Sequence, residues 1–350
     1  MLAGLPLVGI SFIGQSFQTY LEFPPSTQYV KHAPFSWFVF FLFLIAIIIV
    51  VILSGTIIVC SIISSPKTRS IKNFPWWGWI GGIFGLAFWL IAWNRFPWAE
   101  LIQEHTFFPL WISYIIVINA LTYRKSGHCM ITHHTRYFLL LFPASMVFWW
   151  FFEYLNRFVQ NWHYLEVQRS PLQYFLLCNI AFSTVLPAVL GTRDWLLTHN
   201  WIREGVKFNL SYSPAKPVRL GIMAFLVAAF GLLFIGIFPD YLFPLLWVSP
   251  LVILLSLKTI LGEKSLLWLK DHGNQQLVFT SAIAALICGF FWEMWNYYSL
   301  VKWQYSIPFV DRFLLFEMPV LGYSGYLPFG LECAVIGQLI EELVEKKPQA

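Results

Sequence analysis

Charged residues are scarce in this chain of 350 residues, where Asp, Glu, Lys and Arg together make up 11%. A soluble domain contains about 25% charged residues. The hydrophobic fraction is 58% and the mean hydropathy is +0.67. This composition excludes a water-soluble domain as the bulk of the chain and predicts membrane lipid as its surroundings. The net charge of +5 needs no nucleic-acid partner, because basic residues collect in the cytoplasmic loops of membrane proteins.

Motifs for metals, disulfides and nucleotides are also lacking. The five cysteines include no CxxC pair, and four of them lie in apolar segments, which is typical of small buried hydrophobic residues. The sequence contains no GxGxxG, no Walker loop and no GxSxG. We therefore expect no metal and no cofactor.

What the chain does have is a succession of long apolar runs. A transmembrane helix needs roughly 20 apolar residues. The runs predict an all-α polytopic bundle of about nine spans, at residues 36–63, 76–93, 107–122, 137–155, 172–192, 218–238, 241–257, 276–296 and 313–339.

Basic residues are distributed unevenly between alternate loops of this topology. With the N-terminus outside, sixteen of the 22 Lys and Arg residues fall on the inner side. The positive-inside rule then favours a plasma-membrane protein with an external N-terminal segment, residues 1–35, and a cytoplasmic C-terminus. The six outer residues are Lys31, Arg95, Arg157, Arg169, Lys302 and Arg312.

One motif occurs twice. Residues 148–164 read FWWFFEYLNRFVQNWHY and residues 290–305 read FFWEMWNYYSLVKWQY. Each copy has a glutamate, an asparagine three residues later on the same helix face, and then W-x-Y. The motif residues are Glu153, Asn156, Trp162 and Tyr164 in the first copy, and Glu293, Asn296, Trp303 and Tyr305 in the second.

Further short matches extend this repeat. Phe96-Pro97 corresponds to Phe238-Pro239, Trp111-Ile112-Ser113 to Trp247-Val248-Ser249, and Leu186-Pro187 to Leu327-Pro328. These matches predict one leading helix, 36–63, followed by two tandem four-helix units at 76–192 and 218–343. Sites of such repeats tend to form at the interface between units.

Ionisable residues inside spans are candidates for function by default. Glu153 and Glu293 would face each other if the two units pack about a pseudo-twofold axis, and they would then serve as proton donor and base. The simpler alternative is that each is an interfacial carboxylate, bonded to its own asparagine or to a tryptophan N–H.

The segment after the second motif adds two acids and several helix breakers. Residues 313–332 read FLLFEMPVLGYSGYLPFGLE, with Glu317 and Glu332 flanking the breaks. A broken span is typical of a membrane binding site, and a kinked helix at a close contact is the alternative. The first copy has Leu176 and Gly191 at the aligned positions, so we expect one site centred on the second copy. Its predicted substrate contacts are Asn156, Asn296, Trp162, Tyr164, Trp303, Tyr305, Tyr323 and Tyr326.

The second copy resembles a group of uncharacterised bacterial polytopic membrane proteins that carry FWExWN, KWxY and FEMPxLGYxGYxPFxLE. The match runs from Phe291 to Glu332. The chain is also similar, more weakly, to membrane carotenoid enzymes of the lycopene-cyclase type, through the order of Glu293, Trp303, Tyr305 and Glu317. It departs from them where their PxEE pair is replaced by Glu-Met-Pro.

This resemblance implies an intramembrane enzyme that uses carboxylate acid–base chemistry on an apolar isoprenoid or carotenoid-like lipid. Glu293 and Glu317 are the predicted catalytic residues, supported by Glu153 and Glu332. Aromatic faces would stabilise a carbocation, although an aromatic belt at the membrane interface is the alternative role of these rings. A proton- or cation-coupled transporter and a non-catalytic scaffold are the other functions that the pattern leaves open.

Overall fold

The computed structural model describes residues 3–64, 71–165, 169–206, 216–263 and 272–345, and most of them are helical. The helices are α1 (Gly4–Ser11), α2 (Phe17–Tyr20), α3 (Trp37–Ser64), α4 (Trp76–Trp93), α5 (Glu100–Gln103), α6 (Phe107–Ser126), α7 (Met130–His133), α8 (Thr135–Val159), α9 (Pro171–Phe182), α10 (Val185–Leu197), α11 (Asn200–Arg203), α12 (Pro217–Phe234), α13 (Pro239–Leu242), α14 (Leu245–Ile260), α15 (His272–Tyr297) and α16 (Tyr326–Glu345). Several basic residues assigned above to the inner side lie outside the described ranges, namely Lys67, Arg69, Lys207, Lys264, Lys270, Lys346 and Lys347.

Seven helical segments in the described part of the chain are long and apolar enough to cross a membrane. They correspond to α3, α4, α6, α8, the α9–α10 pair, α12 and α15, and α14 is a shorter apolar helix. Only 6% of the most apolar window of α3 is buried inside the protein, and its side chains are apolar on every face. A helix that is apolar all round and not covered by protein is suited to lipid.

The α9–α10 pair is one predicted span that breaks in the middle. Pro187 lies in the first turn of α10, where a missing N–H costs little, and the helical hydrogen bonding is interrupted at residues 183–184. Ser145 of α8 bridges this break, because its hydroxyl donates to the Phe182 carbonyl at 2.5 Å and accepts from the Leu186 N–H at 3.1 Å. A buried polar side chain thus satisfies backbone groups that the break leaves unpaired.

The last predicted span, 313–339, is helical only from Tyr326 onward. Residues 314–319 form two short paired strands, β3 (Leu314–Leu315) and β4 (Met318–Pro319), and a 3-10 helix covers Val320–Gly325. Phe313 and Phe316 have positive φ, which a helix does not permit. The predicted start of this span at residue 313 is therefore wrong, because the length of the apolar run does not reveal the turns at Phe313 and Phe316.

Two helices begin at the same distance from a Leu-Pro pair. Val185 begins α10 and Tyr326 begins α16, each one residue before a Leu-Pro pair. In the same way α4 packs on α6 and α12 packs on α14. In addition, α10 packs against α15, and α16 packs against α8. At Gly330 the backbones of α16 and α15 approach so closely that an added Cβ would lie 2.1 Å from the Ser281 carbonyl oxygen.

Candidate functional site

The two copies of the repeated motif meet at one end of the bundle. Strand β1 (Trp162–Tyr164) pairs antiparallel with β2 (Trp303–Tyr305), so that Trp162 faces Tyr305 and Tyr164 faces Trp303. Each strand follows the end of its helix, α8 or α15. We call this end, where α8 finishes at Val159 and α15 at Tyr297, the motif end.

The motif asparagines fix both strands. The Asn156 amide donates to the Trp162 carbonyl at 2.8 Å, and its oxygen accepts from the N–H groups of Asn161 and Trp162 at 2.8 and 3.4 Å. Asn296 does the same with Trp303, donating to its carbonyl at 2.8 Å and accepting from its N–H at 3.0 Å. The asparagines therefore bond backbone and leave the glutamates to other partners.

Glu153 is held by three donors that converge on one oxygen. Its Oε1 accepts from Trp149 Nε1 at 3.0 Å, Trp162 Nε1 at 3.1 Å and the Tyr164 hydroxyl at 2.6 Å. Its Oε2 makes no hydrogen bond to any described residue, although the side chain is only 6% exposed. Hydrogen bonds thus hold Glu153 Oε1 in place, whereas Oε2 can interact with another group.

The tyrosine that anchors Glu153 remains a donor over a wide pH range. Burial, together with the nearby Glu153 carboxylate, raises the pKa of Tyr164 well above its ordinary value. Burial and the Glu293 carboxylate act in the same direction on the pKa of Tyr305. Both phenols therefore stay protonated and keep their hydrogen bonds to the carboxylates.

Glu293 has a related but closed environment. Its Oε1 accepts from the hydroxyls of Tyr305 and Tyr326, both at 2.7 Å, and Trp303 Nε1 donates to the Tyr305 hydroxyl at 2.8 Å. Its Oε2 is buried and has no hydrogen-bond partner in the described part of the chain. Glu293 therefore lies behind two tyrosines.

The remaining predicted acids lie apart from these two. Glu317 forms an ion pair with Lys302, and the Tyr323 hydroxyl beside this hairpin donates to the Leu315 carbonyl at 3.2 Å. Glu332 is 1% exposed in α16, and its two oxygens lack a side-chain partner within the described ranges. These acids do not join Glu153 in one cluster.

A cavity of about 1190 Å³ opens beside Glu153 at the motif end. Ligand sites typically enclose about 300–1,000 Å³ and are mainly apolar with a few polar groups. Tryptophan, phenylalanine and tyrosine rings supply much of the wall, among them Trp149, Trp247, Trp292, Phe182 and Phe243. The predicted site residues that line it are Glu153, Asn156, Trp162, Tyr164, Trp303, Tyr305 and Tyr326.

Five predicted site residues are not in the cavity wall, namely Glu293, Asn296, Glu317, Tyr323 and Glu332. Tyr305 and Tyr326 line the cavity and donate to Glu293, and so connect this glutamate to the cavity. The geometry therefore differs from the expectation of a site centred on the second copy, since the glutamate that reaches the cavity belongs to the first.

The sequence interpretation missed several cavity residues. Arg157, Arg169, Tyr174 and Cys178 line the same cavity. For Arg157 a signal existed, because it follows Glu153 by four residues and therefore lies on the same helix face. For Arg169 and Tyr174 no local pattern pointed inward, since they lie in and after the connection that leads to α9.

The N-terminal segment, residues 3–35, closes one side of the cavity, which residues 24–28 help to line. Gln160 accepts from the N–H groups of Tyr29 and Val30, both at 2.8 Å. Asp240 accepts from His32 Nδ1 and the Ala33 N–H, both at 2.9 Å. This segment is therefore attached to both halves of the bundle.

Glu22 is a hydrogen-bonding centre within that segment. Desolvation raises the pKa of Glu22, but hydrogen bonds from Ser26 and Thr27 outweigh it and lower the pKa to about 2 from 4.5. Because the folded pKa is depressed, the stabilisation is complete above pH 4.5 and is lost as the pH falls toward 2. Arg157 Nη2 also lies 3.3 Å from Glu22 Oε2.

We expect amide hydrogen exchange in residues 3–35 to accelerate as the pH is lowered from 5 to about 2, beyond the intrinsic change in exchange rate. The measurement is exchange followed by mass spectrometry, with peptides of α8 as internal reference. Glu22→Gln, which cannot ionise, should remove this extra pH dependence. An unchanged pH profile in this variant would contradict the assignment to Glu22.

Histidine, cysteine and acidic side chains do not gather into groups of three or more that would hold a metal ion, within the residues that the structure describes. No protein-family model, curated protein or solved structure matches this chain. The class of protein is therefore defined by the fold and the site alone.

Proposed function

We propose that this protein is a polytopic membrane protein with nine spans, an external N-terminus and a cytoplasmic C-terminus in the plasma membrane. In this topology the helices would alternate in direction, and α14 and α16 would be the two spans beyond the seven long apolar segments. The bias of basic residues supports the orientation.

We also infer that α4 to α10 and α12 to α16 are two copies of one four-span unit. The equivalent Leu-Pro helix starts, the matching helix pairs and the paired motif strands support this duplication. On this basis the chain is a candidate member of the FWExWN group, with a more distant likeness to lycopene-cyclase-type enzymes.

The function that the geometry supports best is an intramembrane enzyme that performs acid–base chemistry on an apolar, isoprenoid-like substrate. One observation carries this proposal. Glu153 lines a large aromatic cavity, and three donors hold its Oε1 while its Oε2 makes no hydrogen bond to the described residues. A fixed carboxyl group facing a substrate-sized apolar space is the arrangement that general acid catalysis requires.

In the proposed reaction, Glu153 in its acid form gives the proton on Oε2 to a carbon–carbon double bond. The π electron pair forms the new C–H bond and leaves a carbocation on the neighbouring carbon. The rings of Trp149, Trp162 and Trp247 stabilise this cation by their negative faces. Loss of a proton from an adjacent carbon then restores a double bond, and the result is an isomerisation without oxidant. If a second double bond of the substrate first attacks the cation, its π electrons form the ring C–C bond and the same proton loss completes a cyclisation.

The final proton needs an acceptor, and the second motif copy offers a route. Tyr305 lines the cavity and its hydroxyl donates to Glu293. A proton taken up at the Tyr305 oxygen would be accompanied by transfer of the phenolic proton to the ionised Glu293. Before the next turnover, Glu293 would release this proton to solvent and Glu153 would take one up. The two carboxyl groups would thus serve one cavity, Glu153 directly and Glu293 through a tyrosine.

A transporter is the second candidate, favoured by a different observation. The wall of the cavity includes Arg157, Arg169 and Glu104 beside its aromatic residues. A charged entrance suits a polar solute better than a hydrocarbon alone. Under this alternative Glu153 would carry a proton that accompanies the solute.

The test is the lipid content of cells with and without the gene, measured by mass spectrometry of total extracts. We expect the deletion to accumulate one apolar or amphipathic lipid and to lack an isomer of the same mass. Restoration by the wild-type gene is the control. Identical profiles, including chromatographic separation of isomers, would contradict the enzyme. If the lipid profiles are identical and the deletion instead changes the uptake of a polar solute, the transporter is favoured.

A further inference from the structure

We propose that the substrate is amphipathic and that Arg157 and Arg169 bind its anionic head, a phosphate or carboxylate, while its apolar chain occupies the aromatic part of the cavity. This inference rests on the proposed function, because it takes the cavity to be the substrate site. It adds a class of substrate, since a pure hydrocarbon would make no use of the two guanidinium groups in the cavity wall.

Arg157 has unused donors in a buried position. Its side chain is 10% exposed, and Nη2 alone makes its hydrogen bonds, to the Thr19 carbonyl at 2.9 Å and to Glu22 at 3.3 Å. The guanidinium also lies over the Tyr29 ring, 5.4 Å from the ring centroid. Its Nε is buried without a hydrogen-bond partner among the described residues. A guanidinium carries five N–H donors in a fixed fork, so the buried Nε–H of this fork is left for a partner that the described residues do not supply.

Arg169 is a second guanidinium in the wall of the same cavity. Its Nη2 lies 2.8 Å from Glu104 Oε2, and its other nitrogens make no hydrogen bond to the described residues. Both acidic partners are more exposed than the arginines, at 30% for Glu22 and 35% for Glu104. The acids therefore lie toward solvent and leave the other side of each fork for an anion, which arginine binds by paired hydrogen bonds.

The position of Arg157 also limits where the chemistry occurs. Arg157 follows Glu153 by four residues of α8, which corresponds to about 6 Å along the helix axis. A head bound at Arg157 would place the reacting double bond a few bonds away from the head. The proposed substrate is therefore a lipid that is unsaturated near its anionic end.

Polar and apolar groups of the cavity are arranged to suit such a molecule. Tyr174 lines the cavity together with Arg157 and Arg169, and Trp149, Phe182 and Trp247 add aromatic rings to the same wall. The rings of Trp149 and Phe182 are 6.1 Å apart, and those of Trp162 and Trp247 are 5.6 Å apart. These rings therefore pack against each other and form a continuous aromatic surface. An apolar chain lying on this surface would gain burial without an unpaired polar group.

The test compares ligands that share a chain and differ in the head. Purified full-length protein in lipid nanodiscs is titrated with hexadecyl phosphate, palmitate, hexadecanol and inorganic phosphate, and binding is followed by intrinsic tryptophan fluorescence. We expect one of the two anionic lipids to bind at least about tenfold more tightly than hexadecanol, because hydrogen bonds to charged groups are among the strongest. Arg157→Gln and Arg169→Gln should each reduce that preference.

Arg95→Gln is the matched control, since Arg95 lies at the motif end, bonds the Ala92 and Tyr298 carbonyls, and does not line the cavity. It should keep the full preference. Equal binding of the anionic lipids and hexadecanol by the wild type would overturn the proposal, as would a preference that survives in both Arg157→Gln and Arg169→Gln. Inorganic phosphate binding as tightly as hexadecyl phosphate would overturn the lipid head in favour of a free anion.

The wild-type ligand series does not depend on any variant folding. It also does not depend on turnover, so the two proposals can fail separately. A clear preference for an anionic head combined with unchanged lipid profiles in the deletion would remove the enzyme and keep the head-binding site. The reverse result would keep the enzyme and remove the anionic substrate.

Discussion

Glu153→Gln is expected to lower turnover of the accumulated lipid by about 10²- to 10⁴-fold, the range typical for loss of a general acid or base. The substitution removes the exchangeable proton and leaves the shape of the side chain. The amide oxygen of glutamine can still accept the three hydrogen bonds from Trp149, Trp162 and Tyr164 that now reach Oε1. We therefore expect loss of chemistry with the fold preserved.

The measurement is conversion of the lipid that the deletion accumulates, in membranes that contain equal amounts of each variant. Glu100→Gln is the control, because Glu100 is an exposed carboxylate near the same end of the bundle and does not line the cavity. It should convert the lipid at the wild-type rate. Wild-type conversion by Glu153→Gln would remove Glu153 from the reaction, even if the deletion itself changes the lipid profile.

Glu293→Gln separates the two glutamates. Under the proposed relay, Glu293→Gln also slows conversion of the lipid, because the Glu293 carboxylate that receives the Tyr305 proton is lost. Its ligand binding should match the wild type, since Glu293 is not in the cavity wall. Wild-type conversion by this variant, together with loss of conversion in Glu153→Gln, would leave Glu153 as the only working carboxyl group of the pair.

Asn156→Ala is expected to have the largest effect on stability, a loss of about 3 kcal/mol. The substitution leaves three backbone groups without their partner, the N–H groups of Asn161 and Trp162 and the carbonyl of Trp162. An unsatisfied buried group costs roughly 1–3 kcal/mol, and water reaching the loop keeps the sum at the lower end. Asn296→Ala removes two such bonds and should cost about 2 kcal/mol.

Thermal unfolding in detergent, followed by tryptophan fluorescence, checks this order. Asn94→Ala is the control, since Asn94 is exposed at the end of α4 and its amide donates only to the Leu90 carbonyl. Surface changes of this kind shift stability by less than about 0.5 kcal/mol. Equal losses for Asn94→Ala and Asn156→Ala would show that the motif asparagines do not hold β1 and β2 in place.

The helical framework followed from the sequence because apolar length is a local property. The runs at 76–93 and 218–238 agree with α4 and α12 to within a few residues. The boundary at 313 failed for the same reason, since apolar content alone does not distinguish a helix from the turn that Phe313 and Phe316 form with positive φ. The motif spacing also placed Glu153 and Asn156 on one helix face. The structure agrees, since both side chains form hydrogen bonds with Trp162 of β1.

What the sequence could not determine is which acid meets the cavity. The two copies carry the same residue types, so local reasoning treats Glu153 and Glu293 alike. Their difference arises from partners far away in the chain. Tyr326 of α16 covers Glu293, whereas the corresponding start of α10 has Val185, which has no hydroxyl and lines the cavity.

The sequence by itself thus determined a helical, lipid-compatible chain and a Glu–Asn–Trp–Tyr motif that occurs twice. The length of a helix and the face on which a side chain lies depend on neighbours within a few turns. The tertiary structure alone decided that the two motif copies join through β1 and β2, and that Arg169 shares a cavity with Glu153. Strand register and cavity walls depend on packing between segments more than a hundred residues apart, and no local pattern in the chain encodes that packing.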